Sequence, residues 1–179
     1  MKTHVYIAQS LDGFIADKHG NLDWLSEIPN PDNDDFGFAD FLDKVDAIVM
    51  GRNTFEKILT FGMWPYPKPV YVISSTLKVL PQEYSDKAEI LNFNPYEILE
   101  KLQKYEMENI YVDGGVLIQG FLSADLIDEL IITTIPILLG GGISLFGEME
   151  KPLRYKLHKS EILLNSMVKN YYIREGKSN

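Results

Sequence analysis

Two hydrophobic patterns alternate along the chain, and they predict different elements. Short continuous apolar runs at Thr3–Gln9, "DAIVMG" (46–51), "PVYVISS" (69–75) and "NIYVDGG" (109–115) predict strands covered on both faces. "AEILNF" (88–93) is a weaker strand of the same kind. Between them the apolar residues recur every three or four positions. "DDFGFADFLDKV" (34–45) puts Phe38, Phe41, Leu42 and Val45 on one helical face. "NTFEKIL" (53–59) and "GVLIQGFL" (115–122) each open a helix directly after a strand, and "NPYEILEKLQKY" (94–105) opens with Asn94 as cap and Pro95 at the first helical position. The last third, "DELIITTIPILLGG", "RYKLHKSEILL" and "MVKNYYIRE", is strand-rich, and its last two runs meet in a short turn at Asn165-Ser166, so they run antiparallel. "SLDGFIADKHGNLDWL" (10–25) reads as loop, with turn signals at Asp12-Gly13 and His19-Gly20-Asn21. Strands alternating with helices predict an α/β fold: a three-layer sandwich around a mixed, mainly parallel sheet with antiparallel C-terminal strands, one domain over 1–179.

Three strand ends then stand out. The first run ending in a helix start carries Gly51, Arg52, Asn53 and Thr54; "VYVI" ends in Ser74 and Ser75; "IYVD" ends in Gly114 and Gly115, followed by Val116 and Leu117. Ligands of open α/β sheets bind outside the carboxyl ends of strands, where helix N-termini offer unpaired N–H groups to anions. Glycine lets a phosphate approach the backbone, and arginine supplies a forked charge for it. None of these segments is the G-x-G-x-x-G fingerprint of the ordinary dinucleotide fold.

Charge sharpens this picture. A net charge of −9 argues against nucleic acid and anionic membrane as main partners, so any bound anion is captured by local geometry. The chain has no Cys, its three His are far apart in sequence, and "DNDDFGF" lacks the ligand pattern of a calcium loop, so no metal site is expected. No apolar run approaches a membrane span, and "MKTHVYIAQS" lacks a signal-peptide pattern, which predicts a cytoplasmic protein acting on a small molecule. The Ile- and Leu-rich C-terminal strands carry more apolar surface than one sheet face of a small domain needs, which predicts a homodimer.

"IAQSLDGFIA" (7–16), "DAIVMGRNTFE" (46–56), "YVISS" (71–75), "YVDGGVLIQGFL" (111–122) and "DELIITTIPILLGGG" (128–142) together resemble the dihydrofolate reductase superfamily. The closer likeness is to the branch formed by the reductase domain of the bifunctional riboflavin-biosynthesis deaminase-reductase, since Asp113 stands where dihydrofolate reductases proper usually carry a further glycine. The resemblance implies an NADPH-dependent oxidoreductase acting on a C=N or C=O bond, of the 5-amino-6-(5-phosphoribosylamino)uracil reductase type. It implies that Arg52, Asn53 and Thr54 hold phosphates beside Gly51, that Ser74 and Ser75 lie by the adenosine 2′-phosphate, and that Gly114, Gly115, Val116 and Leu117 wrap the pyrophosphate. Ala8 and Ile15 would contact the nicotinamide. Asp35 falls where dihydrofolate reductases keep the carboxylate that holds the pterin, and Thr133 where they keep its hydroxyl partner; these are the catalytic candidates. Asp12, beside the nicotinamide site, and Trp24 and Phe38, which could line a flat ring pocket, are the substrate-binding candidates. The pathway reductase's "DNP.L..R" stretch is absent: "EKILTFGMWPYPKPVYV" has no Arg. A dihydrofolate reductase proper and a non-catalytic nucleotide-binding module are the alternatives.

Overall fold

The computed structural model describes residues 1–176. Eight strands form the main sheet: β1 (Lys2–Ser10), then β3 (Ala47–Gly51), β4 (Val70–Ile73), β5 (Ala88–Leu91), β6 (Asn109–Asp113), β7 (Glu129–Ile135), β9 (Tyr155–Leu163) and β10 (Met167–Arg174), in spatial order β5-β4-β3-β6-β1-β7-β10-β9. Every pair from β5 to β7 is parallel, and β10 is antiparallel to both its neighbours. The mixed, mainly parallel sheet read from the hydrophobic runs is therefore present.

Four helices lie on its two faces: α1 (Phe38–Lys44), α2 (Arg52–Leu59), α3 (Pro95–Lys104) and α4 (Gly115–Ser123). In β3, Ile48 and Met50 pack with Phe41 and Phe55 of α1 and α2, while Ala47 and Val49 pack with Ile98 and Phe121 of α3 and α4. A strand whose alternate residues are claimed by opposite helical layers must be apolar throughout, which is why the run "AIVM" shows no polar alternation. Each fully buried aliphatic side chain contributes roughly 1.5–3 kcal/mol.

Three details differ from the sequence reading. The helix expected from Asp34 begins only at Phe38, because Phe36 and Gly37 take positive φ of 57° and 82°. The strand expected to run to Gly141 stops at Ile135, since Pro136 has no N–H for a ladder. Within the first loop, β2 (Phe14–Ala16) pairs with β8 (Ile143–Ser144), tying that loop to the one after β7. The hairpin turn between β9 and β10 holds Leu164 and Asn165 at φ 51° and 52°.

Candidate active site

The carboxyl ends of β3 and β6 are neighbours in the sheet, so the starts of α2 and α4 sit side by side. Gly114 has φ 93°, a conformation costly for any residue with a Cβ, and a Cβ there would collide with the Thr54 hydroxyl and lie 3.7 Å from the Gly51 nitrogen. The two helix starts are thus in van der Waals contact. Gly115 answers to a different demand: a Cβ on it would fall 2.9 Å from Ile15 Cδ1 and 3.3 Å from Ile143 Cγ2. Its bareness admits the β2–β8 ribbon against α4.

Among the described residues no side chain caps either α2 or α4; each begins on a glycine. The first N–H groups of a helix have no partner within it, and the helix dipole adds partial positive charge there. At α4 these are the amides of Gly115, Val116 and Leu117, and Val116 is 80% exposed. At α2 they are those of Arg52, Asn53 and Thr54.

Around the α2 start lies a cationic corner. Arg52 donates to Thr76 Oγ1 at 3.1 Å and to Asn53 Oδ1 at 3.4 Å, and lies 3.7 Å from Glu56. Ser74 is buried, and its oxygen accepts from the Thr76 and Leu77 amides at 3.1 and 2.8 Å, which folds the turn. Ser75 is exposed, and its carbonyl accepts from Lys78 Nζ at 2.7 Å. Lys78 escapes sequence reading because it sits in an irregular stretch with no periodic signal.

Asp113 closes β6 beside these amides. Its Oδ1 accepts from the Gly114 N–H at 2.8 Å, and burial pushes its carboxyl up to about 6, against the opposing pull of that amide.

A second group lies on the face of α1 and α2. Ala8, Thr133 and Lys169 are direct neighbours across β1, β7 and β10. Buried Lys169 donates to the Phe36 carbonyl at 2.6 Å, which also accepts from the Tyr6 hydroxyl at 2.8 Å, and Lys169 lies 3.5 Å from Glu161. Trp24 packs in the same neighbourhood with Ala8, Phe36 and Ile135. Its indole Nε1 is buried without a partner among the described residues. A buried donor left unpaired costs about 1–3 kcal/mol, so such groups call for an explanation. Lys169 gave no sequence signal beyond being a cation inside an apolar strand.

Two further candidates border this group: Asp35 interacts electrostatically with Lys169 and Tyr6, and Phe38 lies against Tyr6. Asp35 stands two residues before Gly37, the glycine that opens α1, and its two oxygens accept from the Gly37 and Ala39 amides, both at 2.8 Å. Those amide bonds hold its carboxyl below the ordinary range, so in this conformation it is not a free acid. Asp12 is a loop clasp, accepting from Ser10 Oγ at 2.6 Å and from the Leu139 and Gly140 amides at 3.1 and 2.8 Å. Phe38 packs against Tyr6, Phe41 and Tyr111. Ile15 lies against Gly115 at the α4 start, and Ala8 packs beside Trp24. Among the described residues no group of His, Asp or Glu could hold a metal ion, and no helix is long and apolar enough to cross a membrane.

Sheet order and helix placement define a dihydrofolate reductase-like α/β fold with two open helix starts on its carboxyl edge. Dihydrofolate reductase from Enterococcus faecalis, solved with NADP(H), superposes with a TM-score of 0.67 over 97% of this chain and 96% of its own, at 20% identity, a likeness of fold alone. The chain belongs to the RibD C-terminal domain family, whose model matches residues 2–169. It is 49% identical to a Shewanella sp. PV-4 protein named for riboflavin biosynthesis, with a TM-score of 0.95 over 98% of this chain and 99% of that one. It is also 37% identical over 178 residues to the uncharacterised protein YwjB of Bacillus subtilis strain 168, covering 97% of this chain and 98% of YwjB.

Proposed function

We propose that the protein is an NADPH-dependent reductase of a pyrimidine- or pterin-like small molecule, working in the cytoplasm. The observation that carries this reading is the pair of uncapped, glycine-started helices meeting at Gly114 and Thr54. The residues present fit the cofactor. The amides of 52–54 and 115–117 would hold the pyrophosphate, and Arg52, Ser75 and Lys78 would face the 2′-phosphate. NADPH, when bound, supplies the hydride.

The protein's own residues hold the substrate. The Trp24 indole N–H is a dry donor suited to a ring carbonyl or imine nitrogen, and Thr133 adds a hydroxyl on the neighbouring strand. Lys169 holds the Phe36 carbonyl, and through it the turn that leads into α1. With Asp35 held by the Gly37 and Ala39 amides, the reading of a dihydrofolate reductase proper is not favoured. The missing arginines after α2 point away from a ribose-phosphate substrate.

Following NADPH oxidation with pteridines and riboflavin-pathway pyrimidines, against a cofactor-only control, tests the proposal. Turnover with one of them supports it; tight NADPH binding with no turnover on any would favour the nucleotide-binding module. Arg52→Ala should weaken NADPH binding roughly tenfold, the scale of one lost charge-assisted hydrogen bond, and leave NADH nearly unchanged. Equal losses for both cofactors would take Arg52 off the 2′-phosphate.

A further inference from the structure

Lys169 is a buried charge that neither of its partners requires. Its side chain is 5% exposed, and its nitrogen stands over the rings of Tyr6 and Tyr171, 5.9 and 5.4 Å from their centres. Taking an ammonium out of water is costly unless partners that depend on it offset the loss. The Phe36 carbonyl already accepts from the Tyr6 hydroxyl at 2.8 Å. Glu161 already accepts from the Tyr171 hydroxyl at 2.6 Å and lies 2.9 Å from Lys159.

The placement is unfavourable in a second way. A Cβ on Gly37, which opens α1, would lie 3.8 Å from the Lys169 nitrogen. The ammonium therefore sits at the helix end that already carries partial positive charge, and the nearby Asp35 carboxylate offsets part of this. A charge kept against both burial and a helix start has a use outside the fold, and its neighbours indicate which. Lys169 stands opposite Thr133 on β7, Thr133 stands beside Ala8 on β1, and Ala8 packs against Trp24. Side chains so paired begin about 5 Å apart.

We propose that Lys169 stabilises the negative charge that reduction places on the substrate. The proposal rests on the reductase reading above. Hydride taken from the nicotinamide, which is thereby oxidised, forms a C–H bond at the carbon of a C=N or C=O group. The π electron pair moves onto the nitrogen or oxygen, which then takes a proton from water. Until it does, that atom is an anion in a pocket of low polarity. A fixed ammonium close by stabilises it far more than the same charge would in water.

Two neutral variants test this on the pteridine or pyrimidine that the wild type reduces fastest. Lys169→Gln keeps an N–H group for the Phe36 carbonyl and removes the charge; Lys169→Met removes both. Each should lower kcat at least about tenfold while KM moves less than about twofold, the pattern of an interaction made in the transition state alone. NADPH affinity should be unchanged, and the melting temperature should not fall, because a costly buried charge has gone. Should Lys169→Met fail to fold, Lys169→Gln alone decides. Full kcat in Lys169→Gln overturns the proposal, since the lysine then serves only to hold the Phe36 turn. A raised KM with unchanged kcat overturns it too, as does a melting temperature lower by more than about 10 °C in Lys169→Gln, which would make the charge part of the scaffold. A wild type that reduces none of these compounds removes the reductase reading and this proposal with it, an outcome read before any variant is made.

Discussion

The four helices begin in two ways, and the difference follows their surroundings. α3 starts on Asn94, whose side chain accepts from the Tyr96 and Glu97 amides at 3.0 and 3.1 Å, while Glu97 accepts from the Asn94 N–H at 2.8 Å. α1 also opens on a glycine, Gly37, but Asp35 just before it accepts from the Ala39 amide of its first turn. These starts complete themselves. α2 and α4 start on glycine at the carboxyl edge of the sheet, and no side chain among the described residues completes them. A cap is worth about 1 kcal/mol, so leaving two open has a cost. It makes sense where an anion completes the helix instead. On the proposed function, position in the sheet, more than helix propensity, separates the self-completed starts from the open ones.

The sharpest way to break this contrast is at Gly114. Gly114→Ala forces a Cβ into positive φ and into the Thr54 hydroxyl, so it should destabilise the fold by about 3 kcal/mol in urea unfolding. A loss under about 1 kcal/mol would mean that the two open starts do not depend on their close contact.

Asp113 measures what a carboxyl costs at the open edge. Its folded pKa is raised to about 6, so the fold prefers the neutral form. Below its unfolded value of about 4 the group is neutral in both states and indifferent; between about 4 and about 6 the unfolded chain ionises while the folded group holds its proton, so the fold loses stability across that window and no further above it. Asp113→Asn should therefore gain about 2 kcal/mol above that window and nothing below it. A gain of equal size at low pH would remove burial as the cause.

The gentlest test opens a closed start. Asn94→Ala should cost about 1 kcal/mol of stability and leave NADPH affinity unchanged. Weakened NADPH binding in this variant would mean that the capped start also serves the ligand.

Much of this was legible in the chain. The apolar runs marked the strands of the parallel half, most clearly β3, where burial on both faces leaves no room for polar residues. Asn94 and Pro95 announced α3 because capping chemistry is local. The β2–β8 ribbon was hidden because "FIA" and "IS" are too short to show a period. The role of Gly115 was hidden because its neighbours, Ile15 and Ile143, lie far away in sequence. Lys169, Lys78 and the unpaired Trp24 indole were invisible for the same reason: each matters through contacts that only the folded sheet creates. Asp35 was legible as an acid at a helix entrance, and there it accepts from the Gly37 and Ala39 amides.

The central claim is that the open starts of α2 and α4, and not the closed starts of α1 and α3, receive the cofactor's phosphates. Amide chemical shifts recorded during an NADPH titration test it residue by residue. The amides of Arg52, Asn53, Thr54, Gly115, Val116 and Leu117 should move together and saturate with one affinity, while those of Gly37, Ala39, Tyr96 and Glu97 stay in place. Saturable binding that leaves the first six unmoved, or moves the capped amides equally, would contradict the account.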